Sequence, residues 1–188
     1  MSSHARLLSL FSVVAAGLFS ASTSRADDVT PGPGVNQDHH RLSLEAGAFT
    51  ALNETGGPLV TLGYQFRPTL DGPDLVLRVR YLHAFGPAED GSVGISGATV
   101  GMRPFLSLGR DDRWELGLGL DVGAYRGRDW YAAFSARPDL RIPLATHTAL
   151  SVTPEFTFLW HPGNDDSYDD ESYGGIVLAG SVGVVQSF

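Results

Sequence analysis

The chain has 188 residues, among them 13 basic residues, all arginine, and 21 acidic residues, and its formal net charge is −8. This length suits one domain, and the absence of cysteine excludes disulfides and cysteine-based metal or nucleophile chemistry. The acidic balance argues against nucleic acid, because phosphate binding needs clustered positive charge. A hydrophobic content of 43% is too low for a helical membrane protein.

The amino-terminal segment predicts export. Arg6 precedes a mostly apolar run from Leu7 to Phe19, and Ser24 and Ala26 place small residues at the two positions that a signal peptidase reads. We therefore predict a signal peptide over 1–26. A transmembrane helix is the alternative, but the apolar run is shorter than the roughly 20 residues that span a bilayer. Residues 27–40, rich in proline and glycine, predict a flexible lead-in.

Eight later segments alternate between apolar residues and small or polar ones, which is the pattern of a β-strand with one apolar face. These segments span about 41–52, 58–67, 74–85, 93–106, 112–126, 129–142, 147–160 and 176–188. The connections between them are rich in turn-forming residues. Apart from 161–173, which is long, none has room for a crossover helix, so neighbouring strands are predicted to be antiparallel.

The second face of these strands separates a membrane barrel from a soluble one. A soluble barrel carries long solvated side chains outside, whereas this face holds glycine, alanine and serine with isolated charges. Such a face suits the narrow lumen of an eight-stranded barrel, which side chains fill. Because a buried charge without a partner is costly, we expect ion pairs there. The predicted lumen charges are Glu45, Arg78, Arg80, Arg103, Glu115, Asp121, Arg137, Asp139, Arg141 and Glu155.

The apolar face carries aromatic residues near the strand ends, as do the girdles of membrane barrels. The predicted girdle residues are Tyr64, Phe66, Tyr81, Phe85, Trp114, Trp130, Phe158, Trp160 and Phe188. These patterns predict an all-β fold, an eight-stranded antiparallel up-and-down transmembrane β-barrel over 41–188. The alternative is a soluble sandwich or a lipocalin-like barrel that holds the same rings in its core.

The chain resembles the small bacterial outer-membrane β-barrels of the OmpA/OmpX-like type. The resemblance rests on the signal peptide, the eight alternating segments and the terminal Phe188, which Val184 and Val182 precede at alternate positions, while Gln186 departs from the pattern. It implies a Gram-negative outer membrane, contact with lipid and lipopolysaccharide, and recognition of the carboxy-terminal strand by the barrel assembly machinery. It identifies an architecture and no activity.

The strand count also predicts orientation. An even number of strands returns the chain to its starting side, so both ends and the lead-in are expected in the periplasm. Loops 53–57, 86–92, 127–129 and 161–173 are then expected outside, with 161–173 as the favoured contact surface. Pro104, Pro138 and Pro154 lack the N–H that a ladder uses, so we expect them near a rim or at a bulge.

Two groups of residues are candidate metal ligands. The loop 161–173 contains Asp165, Asp166, Asp169, Asp170 and Glu171. Clustered carboxylates suit Ca²⁺, but this spacing does not match an EF-hand, and a solvated acidic loop is the simpler interpretation. His39 and His40 follow Asp38, and two adjacent histidines in a tail are also compatible with no role. We predict no cofactor.

Three classes of function follow. A non-enzymatic barrel with a packed lumen and a structural, envelope-integrity or surface-interaction role is preferred. The alternative is binding or passage of a small hydrophobic molecule. A lipid-modifying enzyme comes third, because the sequence has no Gly-x-Ser-x-Gly or His-x-Ser arrangement and a nucleophile needs a base within hydrogen-bond reach.

Overall fold

The alternating segments form antiparallel strands in the computed structural model, which describes residues 39–51, 56–69, 72–85, 92–108, 114–161 and 174–188. The strands in this part of the chain are β1 His40–Ala51, β2 Gly56–Phe66, β3 Asp74–Phe85, β4 Ser92–Arg103, β5 Phe105–Leu108, β6 Trp114–Arg126, β7 Trp130–Ala145, β8 Thr148–Trp160 and β9 Gly174–Ser187. No helix in these residues is long and apolar enough to cross a membrane. The predicted signal peptide and loop cation site lie outside the described residues.

The strands close into a barrel. Their order in the sheet is β4-β3-β2-β1-β9-β8-β7-β6-β5, and a further pairing of β4 with β6 joins the two edges. β4 and β5 share one position in the wall, because both pair with β6 in a single register that Pro104 interrupts. The barrel therefore has eight strand positions, and the predicted eight-stranded antiparallel fold is confirmed.

The two faces of the wall differ in chemistry as the two-residue period requires. On β6, Glu115 and Asp121 are each 1% exposed, whereas Leu116, Leu118 and Leu120 between them are 43–45% exposed. Around the barrel, most of the large apolar side chains that point outward are 38–66% exposed, and others, such as Leu44 and Val184, are partly buried. The wall is thus apolar outside and, along most of its length, polar inside, and a slip of one residue in any strand would exchange the two faces.

The two ends of the barrel are distinct. The first and last strands run side by side and antiparallel, with Arg41 opposite Ser187. The end of the barrel where β1 begins and β9 finishes is called here the terminal end. The opposite end, where β1, β3, β6 and β8 finish, is called the loop end. His40, which the sequence placed in the lead-in, begins β1 at the terminal end.

Two of the three prolines face each other in the wall between β7 and β8. Ala136 pairs with Phe156, and the same register brings Pro138 opposite Pro154. The prediction that these two prolines lie near a rim or at a bulge is wrong, because they lie in the middle of the wall.

The direction of the hydrogen bonds explains how both prolines are accommodated. Leu118 donates its N–H to the carbonyl of Pro104 at 3.0 Å, so Leu118 directs its backbone groups away from its other neighbour, Pro138. Pro138 therefore directs its own backbone toward β8, where Pro154 stands. Each proline lacks the N–H that the other's carbonyl would accept. The two missing donors coincide at one pair, so the ladder is interrupted once rather than twice.

Candidate functional site

The lumen at the terminal end holds a dense cluster of buried charges. We call it the terminal-end cluster, and its members are Arg41, Arg67, Asp74, Arg103, Glu115, Asp139 and Arg141, each at most 3% exposed. Glu115 is its centre: Oε1 lies 3.2 Å from Nη2 of both Arg41 and Arg67. The other oxygen, Oε2, lies 3.2 Å from Arg103 Nη1 and 3.4 Å from Arg141 Nη1. One carboxylate thus links four guanidinium groups.

Two aspartates complete the terminal-end cluster. Asp74 accepts from Arg67 Nε at 2.7 Å and from Arg103 Nη1 at 3.1 Å. Asp139 accepts from Arg103 Nε at 2.6 Å and lies 3.2 Å from Arg141 Nε. Because several donors and acceptors of each group are used at once, the favourable interactions offset much of the cost of removing the charges from water.

Phe105 packs against the terminal-end cluster. The guanidinium carbon of Arg67 lies 3.8 Å from the centroid of its ring, and that of Arg103 lies 5.9 Å away. An aromatic face attracts a cation at such distances. Phe105 lies two residues after Arg103, so both side chains point into the lumen. The Phe105 ring therefore lies nearer the terminal end than the Arg103–Glu115 pair.

A second group of charges lies deeper in the lumen. We call it the middle cluster, and its members are Glu45, Arg78, Arg80, Asp121, Arg137 and Glu155, each at most 6% exposed. Glu155 is paired with Arg80, and Arg78 Nη1 lies 3.0 Å from Glu155 Oε2. Arg137 donates to Asp121 through Nε at 2.6 Å. Hydroxyl groups satisfy remaining oxygens, since Thr157 donates to Glu155 at 2.7 Å.

Two of the ion pairs cross the full width of the barrel. Arg80 stands on β3 and Glu155 on β8, and four steps around the wall separate these strands in either direction. The same holds for Arg41 on β1 and Glu115 on β6. Side chains that meet from opposite walls fill the lumen, which is the expectation for an eight-stranded barrel.

Glycines on β6 make room for these long side chains. A Cβ atom built on Gly117 would lie 2.3 Å from Arg103 Nε, and one on Gly119 would lie 2.7 Å from Arg137 Nη2. Both glycines face inward on the strand that also carries Glu115 and Asp121. The two glycines on the inner face of β6 therefore leave the space that the guanidinium groups of Arg103 and Arg137 occupy.

The structure places all ten predicted lumen charges inside the barrel and divides them between the two clusters. Three further charged residues of the lumen, Arg41, Arg67 and Asp74, were not predicted. Arg41 and Asp74 carry the signal that identified the others, since Arg41 shares a face with Glu45, and Asp74 with Arg78. Their positions at strand ends led to their omission. With them, the described lumen holds seven arginines and six carboxylates.

The lumen changes character toward the loop end. There it is filled by the apolar cluster, which consists of Phe49, Leu59, Leu82, Ala84, Tyr125, Ala133 and Val177, each at most 8% exposed. Ile95, Tyr131 and Leu159 are partly buried and pack against it. This layer lies between the charged clusters and the loop end, and its side chains are apolar.

The predicted girdle residues all point outward and form two groups. Tyr64, Phe66, Trp114 and Phe188 lie at the terminal end, while Tyr81, Phe85, Trp130, Phe158 and Trp160 lie at the loop end. Eight of them are 38–60% exposed, and Phe66 is half-buried.

His40 belongs to the aromatic group at the terminal end. Its ring stacks on Phe188 with centroids 6.0 Å apart and lies 5.2 Å from Phe66. Its Nδ1 is 2.7 Å from the hydroxyl of Tyr64. The candidate metal ligands His39 and His40 with Asp38 are only partly described, since Asp38 lies outside the described residues. Within the described residues no group of three or more metal-ligating side chains occurs, and His39 contacts the carbonyl of Arg67 at 2.6 Å.

Comparison with known proteins identifies the fold. No protein-family model and no curated protein matches the sequence. The structure is similar to the crystal structure of Neisserial surface protein A, with a TM-score of 0.57, 10% sequence identity, and coverage of 79% of this chain and 96% of that chain. The two proteins share a fold, which in this chain is a closed eight-stranded antiparallel barrel. The predicted resemblance in fold is confirmed, and an identity this low carries no activity across.

Proposed function

We propose that this chain is a non-enzymatic β-barrel of a Gram-negative outer membrane, with a packed lumen and a structural, envelope-integrity or surface-interaction role. The observation that carries the proposal is the inverted distribution of polarity. Charges that reach across the lumen are buried and paired, while leucine, valine and aromatic side chains point outward. A hydrocarbon environment favours this arrangement, because the wall satisfies its own backbone groups and presents an apolar surface.

The dimensions of the outward surface support the proposal. On β6 the outward residues from Trp114 to Ala124 are uncharged, and this run has the length of roughly 9–11 residues that a tilted strand needs to cross the hydrocarbon. The aromatic groups at the two ends of the barrel match the places where rings sit favourably among lipid headgroups. Lipid and lipopolysaccharide are therefore the proposed surroundings, and the terminal strand β9 is the proposed segment for the assembly machinery.

Four of the described histidines have hydrogen-bond partners that are not nucleophiles of a hydrolase. His40 and His83 contact tyrosine hydroxyls, and His39 and His161 contact backbone carbonyls. None of these four described histidines is hydrogen-bonded to a serine, so these four do not form the nucleophile–base pair that a hydrolase of this size would use.

Two measurements test the proposal. The processed chain is expected to remain in the membrane fraction and to migrate differently on a gel with and without heating, as folded membrane barrels do. In planar bilayers it is expected to give no stable conductance steps, because paired side chains from opposite walls occupy the lumen. A folded monomer in buffer without detergent would overturn the membrane assignment, and stable conductance steps would overturn the packed lumen.

The apolar cluster favours a second candidate, binding or passage of a small hydrophobic molecule. Leu59, Leu82 and Phe49 line the lumen near the loop end, where the charged clusters are absent. Fluorescence of 1-N-phenylnaphthylamine is expected to rise on addition of the purified barrel, and a Leu82→Arg substitution is expected to abolish the rise. No fluorescence change with the folded wild-type barrel would eliminate this candidate.

A further inference from the structure

One arginine breaks the uncharged character of the outer wall. Of the outward positions on the described strands, only that of Arg126, at the end of β6, carries a charge. The arginines of the two lumen clusters are at most 4% exposed, so they play no part at the outer surface. Arg128, the other exposed arginine of the described residues, lies in the turn between β6 and β7. A single charge at the loop-end rim of an apolar wall calls for a chemical explanation.

Arg126 is held by an aromatic ring. Its register partner on β7 is Trp130, and its guanidinium carbon lies 5.3 Å from the centroid of the Trp130 ring. Trp130 points outward and is 58% exposed. Within the described part of the chain Arg126 has no carboxylate partner. The ring attracts the cation through its face, and the N–H groups along the guanidinium edge stay available.

The position of this pair matches the headgroup level of a bilayer. Below Arg126 on the same face come Ala124, Val122 and Leu120, all exposed and uncharged. Tryptophan is favoured at membrane–water interfaces, and a long basic side chain near a strand end reaches the headgroups. Arginine binds phosphate through a planar pair of donors. The overall charge of −8 gives the chain no general attraction to anionic lipid, so any preference must be local.

We propose that Arg126 and Trp130 form a contact site for the phosphate of a lipid headgroup in the leaflet at the loop end. This inference rests on the proposed membrane function. Trp130 supplies the stacking surface that orients the guanidinium, and Arg126 supplies the charge and the hydrogen bonds.

Tryptophan quenching tests the site directly, because Trp114, Trp130 and Trp160 are the three tryptophans of the chain. A Trp114→Phe/Trp160→Phe variant retains Trp130 alone. It is refolded into phosphatidylcholine vesicles that contain brominated phosphatidic acid or, at the same mole fraction, brominated phosphatidylcholine. The phosphatidic acid is expected to associate about two- to fivefold more strongly, the preference that one interfacial basic residue provides.

Two matched substitutions test whether the preference for phosphatidic acid comes from Arg126. Arg126→Gln is expected to reduce the ratio to about one, whereas Arg128→Gln, which removes the same charge from the same hairpin, is expected to preserve it. Equal quenching by both lipids overturns the inference. An equal loss of the phosphatidic acid preference in Arg126→Gln and Arg128→Gln also overturns it. In either case the proposed membrane function stands. No quenching by either lipid overturns the membrane function as well. If the variant with one tryptophan does not fold, native mass spectrometry of the wild-type, Arg126→Gln and Arg128→Gln barrels, counting bound phosphatidic acid against phosphatidylcholine, decides between the same outcomes.

Discussion

Arg41 and Glu115 stand on opposite walls of the barrel, and their side chains meet in the lumen with Arg41 Nη2 3.2 Å from Glu115 Oε1. The two residues are 74 positions apart in the chain. Glu115 also receives Arg67, Arg103 and Arg141, so this carboxylate links strands that are not neighbours in the sheet. Glu115 therefore connects strands across the lumen, whereas backbone hydrogen bonds join only adjacent strands.

Removal of the Glu115 charge tests how much these ion pairs across the lumen contribute to stability. Glu115→Gln leaves four arginines with the two remaining carboxylates of the terminal-end cluster. Because the uncompensated charge stays buried, the free energy of unfolding is expected to fall by about 3–5 kcal/mol. Urea-induced unfolding of the refolded barrel measures the change. Asp129→Asn, at an exposed position, serves as the control and is expected to change stability by less than about 0.5 kcal/mol.

A single methyl group tests the packing of the lumen. In Gly117→Ala the new Cβ would lie 2.3 Å from Arg103 Nε, so Arg103 must move away from Asp139. We expect a loss of about 1–3 kcal/mol, the usual cost of overpacking. Gly180→Ala is the matched control, since a Cβ there has nothing within 4 Å. Equal urea midpoints for the two variants would contradict the role assigned to Gly117.

The proline pair offers a test in the opposite direction. Pro138→Ala with Pro154→Ala supplies two N–H groups to carbonyls that lack donors. Each restored bond contributes about 0.5–1.5 kcal/mol in water-exposed proteins, and more where hydrocarbon surrounds the wall. Replacing proline raises the conformational entropy of the unfolded chain, which destabilises the fold by about 0.4–1 kcal/mol per residue. We expect the urea midpoint to rise.

Hydrogen exchange separates the two contributions of the proline variants. The new amides at positions 138 and 154 are expected to exchange slowly in the double variant, and each single variant is expected to gain one protected amide. Fast exchange at both positions would show that the two strands do not face each other in the register described.

The terminal aromatic residue is expected to stabilise the closing seam. Phe188 stacks on His40 and donates its N–H to the carbonyl of His40 at 3.0 Å. In a double-mutant cycle of Phe188→Ala and His40→Ala, we expect a coupling of about 0.5–1.5 kcal/mol, the range measured for ring pairs. Phe188→Ala and Phe158→Ala, at opposite ends of the barrel, should be additive within about 0.5 kcal/mol. If Phe188→Ala and His40→Ala were additive, the stacking of the two rings would contribute nothing to stability.

Much of the wall was predictable because a strand repeats every two residues. Glu115 and Asp121 share one parity on β6, Leu118 has the other, and this difference alone indicates which side chains enter the lumen. The eight segments and their antiparallel order followed from the same period and from the short connections. The predictions failed at places where parity gives no information or where turns were assumed.

Arg67 and Pro138 show where the sequence was insufficient. Arg67 ends the predicted segment 58–67 and shares the parity of the buried Thr61 and Gln65, but only the closed wall brings it against Asp74 and Glu115. Pro138 is a poor strand residue by itself, and its tolerance depends on Pro154 directly across the ladder. Each case depends on a neighbour that the chain brings near only after the strands have paired.

The sequence by itself determined the faces of each strand, and thereby an apolar exterior, a charged interior and two groups of rings. The tertiary structure alone decided which charges meet, such as Arg41 with Glu115 and Arg80 with Glu155. The physical reason is that side-chain direction is a local property of an extended backbone, whereas contact across a lumen requires closure of the whole ring of strands, which joins residues that no short-range pattern relates.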